Sequence, residues 1–122
     1  MMPNRFVILH HLAPSGEHWD FMLEQKDALL TWRMMSQPAG RDACPIECLR
    51  IKDHGKRYLD YEGPISGGRG FVTRVDHGRY ELLAADQDAW TLRLQGQRMV
   101  GDFRLVRTDP KSQTRWTLIA EG

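Results

Sequence analysis

The sequence has few cysteines, no long apolar run and almost no net charge, and each shortage excludes a class of protein. Its two cysteines, Cys44 and Cys48, lack a second Cys or His pair at zinc-finger spacing, so reduced thiols are favoured over a structural zinc site. No apolar run approaches the roughly 18 residues that span a bilayer, and the N-terminal MMPNRF lacks the apolar region of a secretory signal. We therefore expect a cytoplasmic protein that makes no membrane contact.

The formal net charge of +1 excludes a polybasic tail, so binding of nucleic acid requires a local basic patch. The middle third of the chain offers one, made of Arg50, Lys52, Lys56, Arg57, Arg69 and Arg74. From charge alone, a solvated basic surface explains these cations equally well. The length of 122 residues and the hydrophobic content of 41% predict a single domain, 1–122, built around one core.

Short segments rich in Val, Ile, Leu, Trp and Tyr alternate with turn residues, which predicts an all-β sandwich or barrel. The predicted strands are Arg5–His10, His18–Glu24, Ala28–Met34, Glu47–Asp53, Gly70–Asp76, Arg79–Ala84, Trp90–Gln95, Arg98–Arg107 and Arg115–Ala120. Links such as QKD, DHG and QGQ are typical of antiparallel hairpins. Three links are longer and are the favoured places for function: Leu12–Glu17, Met35–Ile46 and His54–Arg69.

The segment HWDFMLE alternates apolar and polar residues with a period of two, as in a strand with one buried face. In a strand, His18 and Asp20 share a face about 6.6 Å apart, whereas in a helix they point about 200° apart. The preceding strand ends in His10 and His11, which face opposite ways, so at most one of them joins the pair. Two imidazoles and a carboxylate suit manganese, iron or zinc. Hydrogen-bonded structural histidines are the alternative.

A second cluster, DHGKRYLDYEGPISGGRG, combines His54, Lys56, Arg57, Tyr58 and Arg69 as groups suited to an anion. Two acidic residues are available to orient these cations, Asp60 and Glu62. The glycines do not form a Walker A loop, because Arg and Gly stand where that motif needs Lys and Ser or Thr. A tight turn or bulge is the preferred interpretation of Gly67 and Gly68.

The remaining chemically notable residues have structural interpretations. No Ser or Cys lies in a recognisable nucleophile context, so covalent hydrolysis has no support. The VDHGRY segment is predicted to be a hairpin with His77 as an exposed turn residue. Three tryptophans lie in apolar strand patterns and are expected in the core rather than as base-stacking platforms: Trp32, Trp90 and Trp116.

Taken together, RFVILHH, HWDFMLE, LLTW, DHGKRYLDYEG and GGRG resemble the 3′-phosphoesterase domain of bacterial ATP-dependent DNA ligase D and its free-standing relatives. The resemblance is specific from about Arg5 to Gly70 and weaker over the closing GDFRLVR and WTLI segments. It implies a small closed antiparallel β-barrel of about eight strands with its site in a crescent-shaped groove. It also implies an enzyme that uses Mn²⁺, or another divalent transition metal, to remove a 3′-ribonucleoside and then the 3′-phosphate from DNA ends.

The resemblance assigns roles to individual residues. The metal ligands of the family fall on His11, with His10 as the fallback, and on His18 and Asp20. The catalytic His and Tyr of the family fall on His54 and Tyr58, for which phosphate contact and transition-state stabilisation are implied. The implied partners are DNA 3′ ends on a primer-template and a ligase or polymerase acting in trans, and we expect a monomer.

The sequence departs from the family pattern at the phosphate clamp. Met22 stands where the family has an arginine, MMSQ lacks the lysine expected after the Trp strand, and Lys52 replaces an acidic residue. A thioether cannot clamp phosphate, so the expected substitutes are Arg50, Arg33 or Arg69, or else activity is reduced. Two alternatives therefore stay open beside the enzyme: a catalytically weak barrel that binds DNA ends, and a cupin-like metal enzyme on a small molecule, which leaves DHGKRY unexplained.

Overall fold

Nine strands form one antiparallel sheet that closes into a barrel in this computed structural model, which describes residues 4–122. The strands are β1 Arg5–Ala13, β2 Gly16–Glu24, β3 Leu29–Met34, β4 Ile46–His54, β5 Gly63–Pro64, β6 Phe71–Ala85, β7 Ala89–Gln95, β8 Val100–Arg107 and β9 Arg115–Ala120. Eight of them close the barrel in the order β1-β2-β3-β4-β9-β8-β7-β6, with β6 paired to β1. The predicted fold class is thus confirmed. The first residues of the predicted domain, 1–3, lie outside the described residues.

The only helical segments of residues 4–122 are two short 3₁₀ turns, Arg41–Ala43 and Lys56–Leu59. Within that range, no helix has the length and apolar character needed to cross a membrane. Both cysteines are free thiols, as predicted. Burial raises the pKa of Cys48 to about 12, so this thiol stays protonated at neutral pH.

Alternate side chains of the strands point into the barrel and fill it. Trp32 lies fully buried among them, with its ring edge-to-face to Trp90 at 5.5 Å and to Trp116 at 5.9 Å. Trp116 is buried, whereas Trp90 is only partly buried and packs against the same cluster, so the prediction of core tryptophans is confirmed for Trp32 and Trp116 and in part for Trp90. Because large apolar side chains each contribute roughly 1.5–3 kcal/mol on burial, this interior is the main source of stability.

A smaller apolar cluster, which we call the outer cluster, lies on the outside of the first strands. Its members are Val7, Leu9, Met22, Leu29, Leu59, Ile65 and Val72. β1 and β2 are therefore buried on both faces, which explains why FVIL and FML read as continuous apolar runs rather than alternating ones. The long link between β4 and β6 supplies Leu59 and Ile65, so it is packed onto the barrel instead of extending into solvent.

Two predicted strands, Gly70–Asp76 and Arg79–Ala84, are one continuous strand, β6, so the predicted DHG hairpin is wrong. Asp76 is buried, and its carboxylate accepts hydrogen bonds from the backbone N–H groups of residues 97–99 at 2.6, 3.3 and 2.8 Å. It therefore stabilises the turn between β7 and β8 instead of forming a turn of its own.

Gly78 is likewise required for the close approach of β6 to the end of β7 rather than for a turn. A Cβ at this position would lie 2.0 Å from the carbonyl oxygen of Gln95 on the neighbouring strand. His77 is exposed, as predicted, but it lies within β6 and not in a turn. Residues that are typical of turns thus serve here to pack one strand against an adjacent hairpin.

Candidate metal centre and phosphate groove

The hairpin of β1 and β2 carries the candidate metal ligands. The two strands extend to within two residues of each other, so the link predicted over Leu12–Glu17 is a tight turn at Pro14 and Ser15. In the resulting register His11 lies directly opposite His18. Pairing of the strands therefore places two histidines on one face, although they are well separated in the sequence.

Three side chains converge on the outer face of this hairpin. The Nδ1 atom of His11 lies 3.1 Å from Nε2 of His18, and Oδ2 of Asp20 lies 3.4 Å from the same Nε2 and 4.0 Å from Nδ1. Metal bonds of about 2.1 Å that meet at about 90–109° separate their ligand atoms by about 3.0–3.4 Å. The two separations from Nε2 of His18 lie in this range, and the distance of 4.0 Å between His11 and Asp20 is longer. Since the three groups are also mostly buried, they form a candidate metal site.

The hydrogen bonding of His11 leaves the appropriate ring nitrogen free. Its Nε2 lies 2.8 Å from the backbone carbonyl oxygen of Arg69. Because a carbonyl oxygen can only accept, the proton of the neutral ring is on Nε2, and Nδ1 presents its lone pair toward His18 and Asp20. A carbonyl acceptor behind the imidazole is the usual outer-shell arrangement of a metal-binding histidine.

His10 occupies the opposite face of β1 and takes no part in this cluster. Its Nε2 lies 2.7 Å from Oε2 of Glu17, and its ring stacks on that of Trp19 with centroids 5.1 Å apart. Adjacent histidines on the strand do face opposite ways, and it is His11 that joins His18 and Asp20.

Asp20 also faces an arginine on the next strand. Arg33 of β3 is its partner in the sheet register, and the Nε atom lies 3.7 Å from Oδ1, which is longer than a hydrogen bond. Both atoms are buried and have no hydrogen-bond partner among residues 4–122. Because burying unpaired polar atoms costs free energy, this pair marks a place where a ligand is expected to supply the missing contacts.

A groove of about 490 Å³ runs over this surface. Besides His11 and Asp20, its polar lining comes from Arg33, Lys52, Asp53, His54, Tyr58 and Arg69, above an apolar floor that includes Met22. The two predicted clusters, one from the first hairpin and one from the link after β4, therefore face the same cavity.

His54 and Tyr58 are each held by one hydrogen bond and keep further hydrogen-bonding capacity for the groove. The Nδ1 atom of His54 lies 2.9 Å from the carbonyl oxygen of Lys52, which places a proton on Nδ1 and leaves Nε2 for a substrate. The hydroxyl of Tyr58 accepts a hydrogen bond from Arg57 at 3.1 Å and keeps its own proton to donate. The two rings meet edge-to-face with centroids 5.8 Å apart.

The 3₁₀ turn that carries Tyr58 is attached to the barrel by an ion pair with Glu24. Lys56 Nζ lies 3.1 Å from Oε2 of Glu24, whose Oε1 accepts the backbone N–H of Arg5 at 3.0 Å. Burial opposes ionisation of Glu24, but these contacts outweigh it and hold its pKa below the ordinary value. The position of Tyr58 in the groove thus depends partly on an ionised Glu24.

Asp60 and Glu62 were predicted to orient cations of the second cluster, but Asp60 pairs with cations elsewhere on the barrel and Glu62 binds a backbone N–H group. Asp60 binds Arg5 at 2.7 Å, a hydrogen bond that lowers the pKa of the Asp60 carboxyl, and it lies 3.6 Å from Arg74. Glu62 accepts the backbone N–H of Arg74 at 2.8 Å. Their role is to attach the link after β4 to β1 and β6.

The structure separates the three arginines that were expected to replace the missing clamp. Arg50 lies outside the groove, with its guanidinium 4.6 Å above the ring of Trp32. Arg69 lines the groove but is folded back on its own turn, where Nε and Nη2 bind the carbonyl and the hydroxyl of Ser66. Arg33 lines the groove beside Asp20.

Met22 is 1% exposed and packs in the outer cluster, two residues beyond Asp20 on the same face of β2. The position at which the resemblance implies an arginine is thus occupied by an apolar side chain that lines the floor of the groove. No charged group is available from this position.

The glycine-rich segment contributes to the site in a way that the sequence does not reveal. Gly67 and Gly68 adopt φ values of +76° and +68° in a turn, as predicted. A Cβ on Gly70 would lie 1.9 Å from the carbonyl oxygen of Leu12, so only glycine permits this approach to β1. The approach brings the carbonyl of Arg69 to His11. Because every residue has a backbone carbonyl, the sequence does not predict this acceptor. The glycines indicate only that the segment has an unusual backbone conformation.

Comparison with known proteins assigns this barrel to a family. Residues 9–107 match the family model described as the DNA Ligase D 3′-phosphoesterase domain. The chain is also 27% identical, over 131 aligned positions, to the multifunctional non-homologous end joining protein LigD of Pseudomonas aeruginosa. That alignment covers 94% of this chain but only 15% of the relative. The chain belongs to the DNA ligase D 3′-phosphoesterase domain family.

Proposed function

We propose that this protein is a metal-dependent phosphoesterase that trims the 3′ ends of nucleic acids, removing a terminal 3′-ribonucleoside and the 3′-phosphate during DNA repair or end joining. The observation that carries the proposal is that His11 and Asp20, which form a ligand cluster with His18, line the same groove as His54, Tyr58 and a partly buried arginine. The family match and the end-joining relative support this substrate class. The 3′-hydroxyl product is the end that a ligase or polymerase consumes.

The donor set fits a divalent transition metal. His11 and His18 offer imidazole nitrogens and Asp20 offers a carboxylate oxygen, a combination that suits Mn²⁺, Fe²⁺ or Zn²⁺ and leaves coordination positions open. We assign Mn²⁺, or another divalent transition metal, to this site. The chemistry supplied by such a bound cation is Lewis acidity, which polarises a phosphoryl oxygen and activates water.

The remaining steps fall to side chains of the groove. Tyr58 donates its hydroxyl proton to a phosphate oxygen and holds the phosphate in place. His54 is anchored through Nδ1, so its Nε2 carries the proton that passes to the leaving oxygen when the ring is protonated. Arg33 and Arg69 provide positive charge along the groove, whereas Arg50 lies outside it.

The test is incubation of the protein with Mn²⁺ and a labelled primer-template that ends in a 3′-ribonucleotide or a 3′-phosphate. We expect conversion of both ends to a 3′-hydroxyl, and no conversion by His18→Ala or in the presence of EDTA. If the folded wild type binds the DNA but leaves both ends intact, the protein is instead an accessory barrel that binds DNA ends. The buried Met22 is the feature that favours this second function.

A further inference from the structure

Arg33 occupies the part of the groove in which Met22 leaves no charge. We propose that Arg33 is the residue that clamps the substrate phosphate. The guanidinium that binds the phosphate is then supplied by β3 rather than by β2. The proposal rests on the proposed function, since it names the phosphate ligand of the same groove. It selects Arg33 as the phosphate ligand from the three candidate arginines of the sequence, Arg33, Arg50 and Arg69.

The sheet register places Arg33 where an arginine at position 22 would act. Arg33 pairs with Asp20 and Met22 pairs with Thr31, so Arg33 and Met22 are diagonal neighbours on the outer face of β2 and β3. Diagonal neighbours lie about 7–8 Å apart at Cα, which is within reach of long side chains. A guanidinium from either position therefore reaches the same volume beside Asp20.

Arg33 has a hydrogen-bond donor that is not satisfied by the protein and is therefore available to an anion. Its Nε is buried and without a hydrogen-bond partner among residues 4–122, as is the Oδ1 of Asp20 that it faces at 3.7 Å. The side chain is 37% exposed, so the guanidinium is partly removed from water yet open to the groove. Partial desolvation strengthens a charge-assisted hydrogen bond to phosphate.

The other cations are less suited to this task. The guanidinium of Arg69 is engaged by Ser66, and that of Arg50 stacks over Trp32 outside the groove. Lys52 lines the groove, but an ammonium group is a point charge that cannot bind two phosphate oxygens in one plane. Only a guanidinium can direct Nε toward Asp20 while its two terminal nitrogens bind the phosphate.

The proposal is tested by fluorescence anisotropy with two labelled oligonucleotides that differ only in a 3′-phosphate or a 3′-hydroxyl end, in EDTA and again in Mn²⁺. We expect wild type to prefer the phosphate end. Arg33→Met should lower affinity for that end at least tenfold while affinity for the hydroxyl end changes little. Arg33→Lys should restore part of the preference, because it returns charge without the planar fork.

The decisive variant moves the charge back to β2. Met22→Arg combined with Arg33→Met should recover the preference for the phosphate end if both positions serve one phosphate. Retention of the preference by Arg33→Met, its loss in Arg69→Met instead, or no preference in wild type would overturn the proposal. Thermal unfolding checks that each variant is folded.

The same proteins separate this inference from the proposed function. If wild type trims 3′ ends and Arg33→Met trims them equally well at subsaturating substrate, the inference fails while the proposed function stands. If no protein trims, but the phosphate preference still depends on Arg33, the phosphate site is correct and the proposed reaction is wrong.

Discussion

His11 donates a hydrogen bond through Nε2 to the backbone carbonyl of Arg69, 2.8 Å away. This contact joins the glycine-rich turn before β6 to the candidate metal ligands on the first hairpin. It selects the ring tautomer that presents Nδ1 to His18 and Asp20. The glycine-rich turn, which does not bind nucleotide phosphate through a Walker motif, thus acts on the site through the orientation of one imidazole.

We predict that Gly70→Ala weakens metal binding. The added Cβ would meet the carbonyl oxygen of Leu12 at 1.9 Å, and the φ of +103° is strained for alanine, so the turn must move away from β1. Loss of an outer-shell partner typically lowers metal affinity about 10–100-fold, which Mn²⁺ titration by calorimetry will measure. Gly40→Ala is the control, because its extended backbone accepts alanine and its Cβ meets no atom closer than 3.7 Å.

We predict that His18 and His10, which lie on opposite faces of the hairpin of β1 and β2, differ sharply in their effect on metal binding. His18→Ala removes one of three ligand groups and should abolish stoichiometric Mn²⁺ binding. His10→Ala removes only the contacts to Glu17 and Trp19 on the other face, so affinity for Mn²⁺ should stay at the wild-type value. Equal loss in both variants would show that the assignment of ligands to one face is wrong.

The stability of the fold should fall in acid partly because of Glu24. Its pKa is depressed in the folded protein, so the ionised carboxylate stabilises the fold above the ordinary value of 4.5 and this contribution is lost as pH falls through the folded pKa. Glu24→Gln should cost about 0.5–1 kcal/mol at pH 7 and flatten the dependence below about pH 4.5. Urea unfolding across this pH range measures it, and parallel profiles for the two proteins would contradict the prediction.

Truncation of the outer cluster should loosen the groove before it unfolds the barrel. Leu59 is 3% exposed and attaches the link after β4 to the outer face of the sheet. Leu59→Ala should cost about 2–4 kcal/mol, and amide hydrogen exchange should rise first in residues 55–70. Leu92→Ala, a fully buried position inside the barrel, is the comparison and should raise exchange throughout the strands. The same pattern of hydrogen exchange in both variants would contradict the view that residues 55–70 are stabilised separately from the barrel.

The period of two in HWDFMLE was sufficient to predict that His18 and Asp20 share a face, because side chains two residues apart in a strand point the same way. The single buried face that this pattern indicated is wrong, since Asp20 and Met22 are buried as well as Phe21 and Leu23. Alternation along the preceding strand also meant that at most one of the adjacent residues His10 and His11 joins the pair. It did not show which one, since that choice depends on the register of β1 with β2. Strand spacing predicted an all-β sandwich or barrel, the resemblance implied that the barrel is closed, and the structure confirms the closed barrel.

The errors and omissions have a common physical origin, because one residue type can serve two geometries. Asp76 and Gly78 form a typical turn signal, yet they serve close packing of β6 against a hairpin. Arg33 and Arg50 are chemically identical in the sequence, but one faces the groove and the other lies over Trp32. Only the register of β2, β3 and β4 distinguishes them.

The central claim is that His11, His18 and Asp20 hold one divalent cation at the groove. It is tested most directly by the anomalous scattering of manganese in crystals of the Mn²⁺-loaded protein. We predict one strong peak in contact with Nδ1 of His11, Nε2 of His18 and the carboxylate of Asp20, with the bond between His11 and Arg69 intact. No peak at these three groups, or a peak bound through Nε2 of His11 or through His10, would contradict the account.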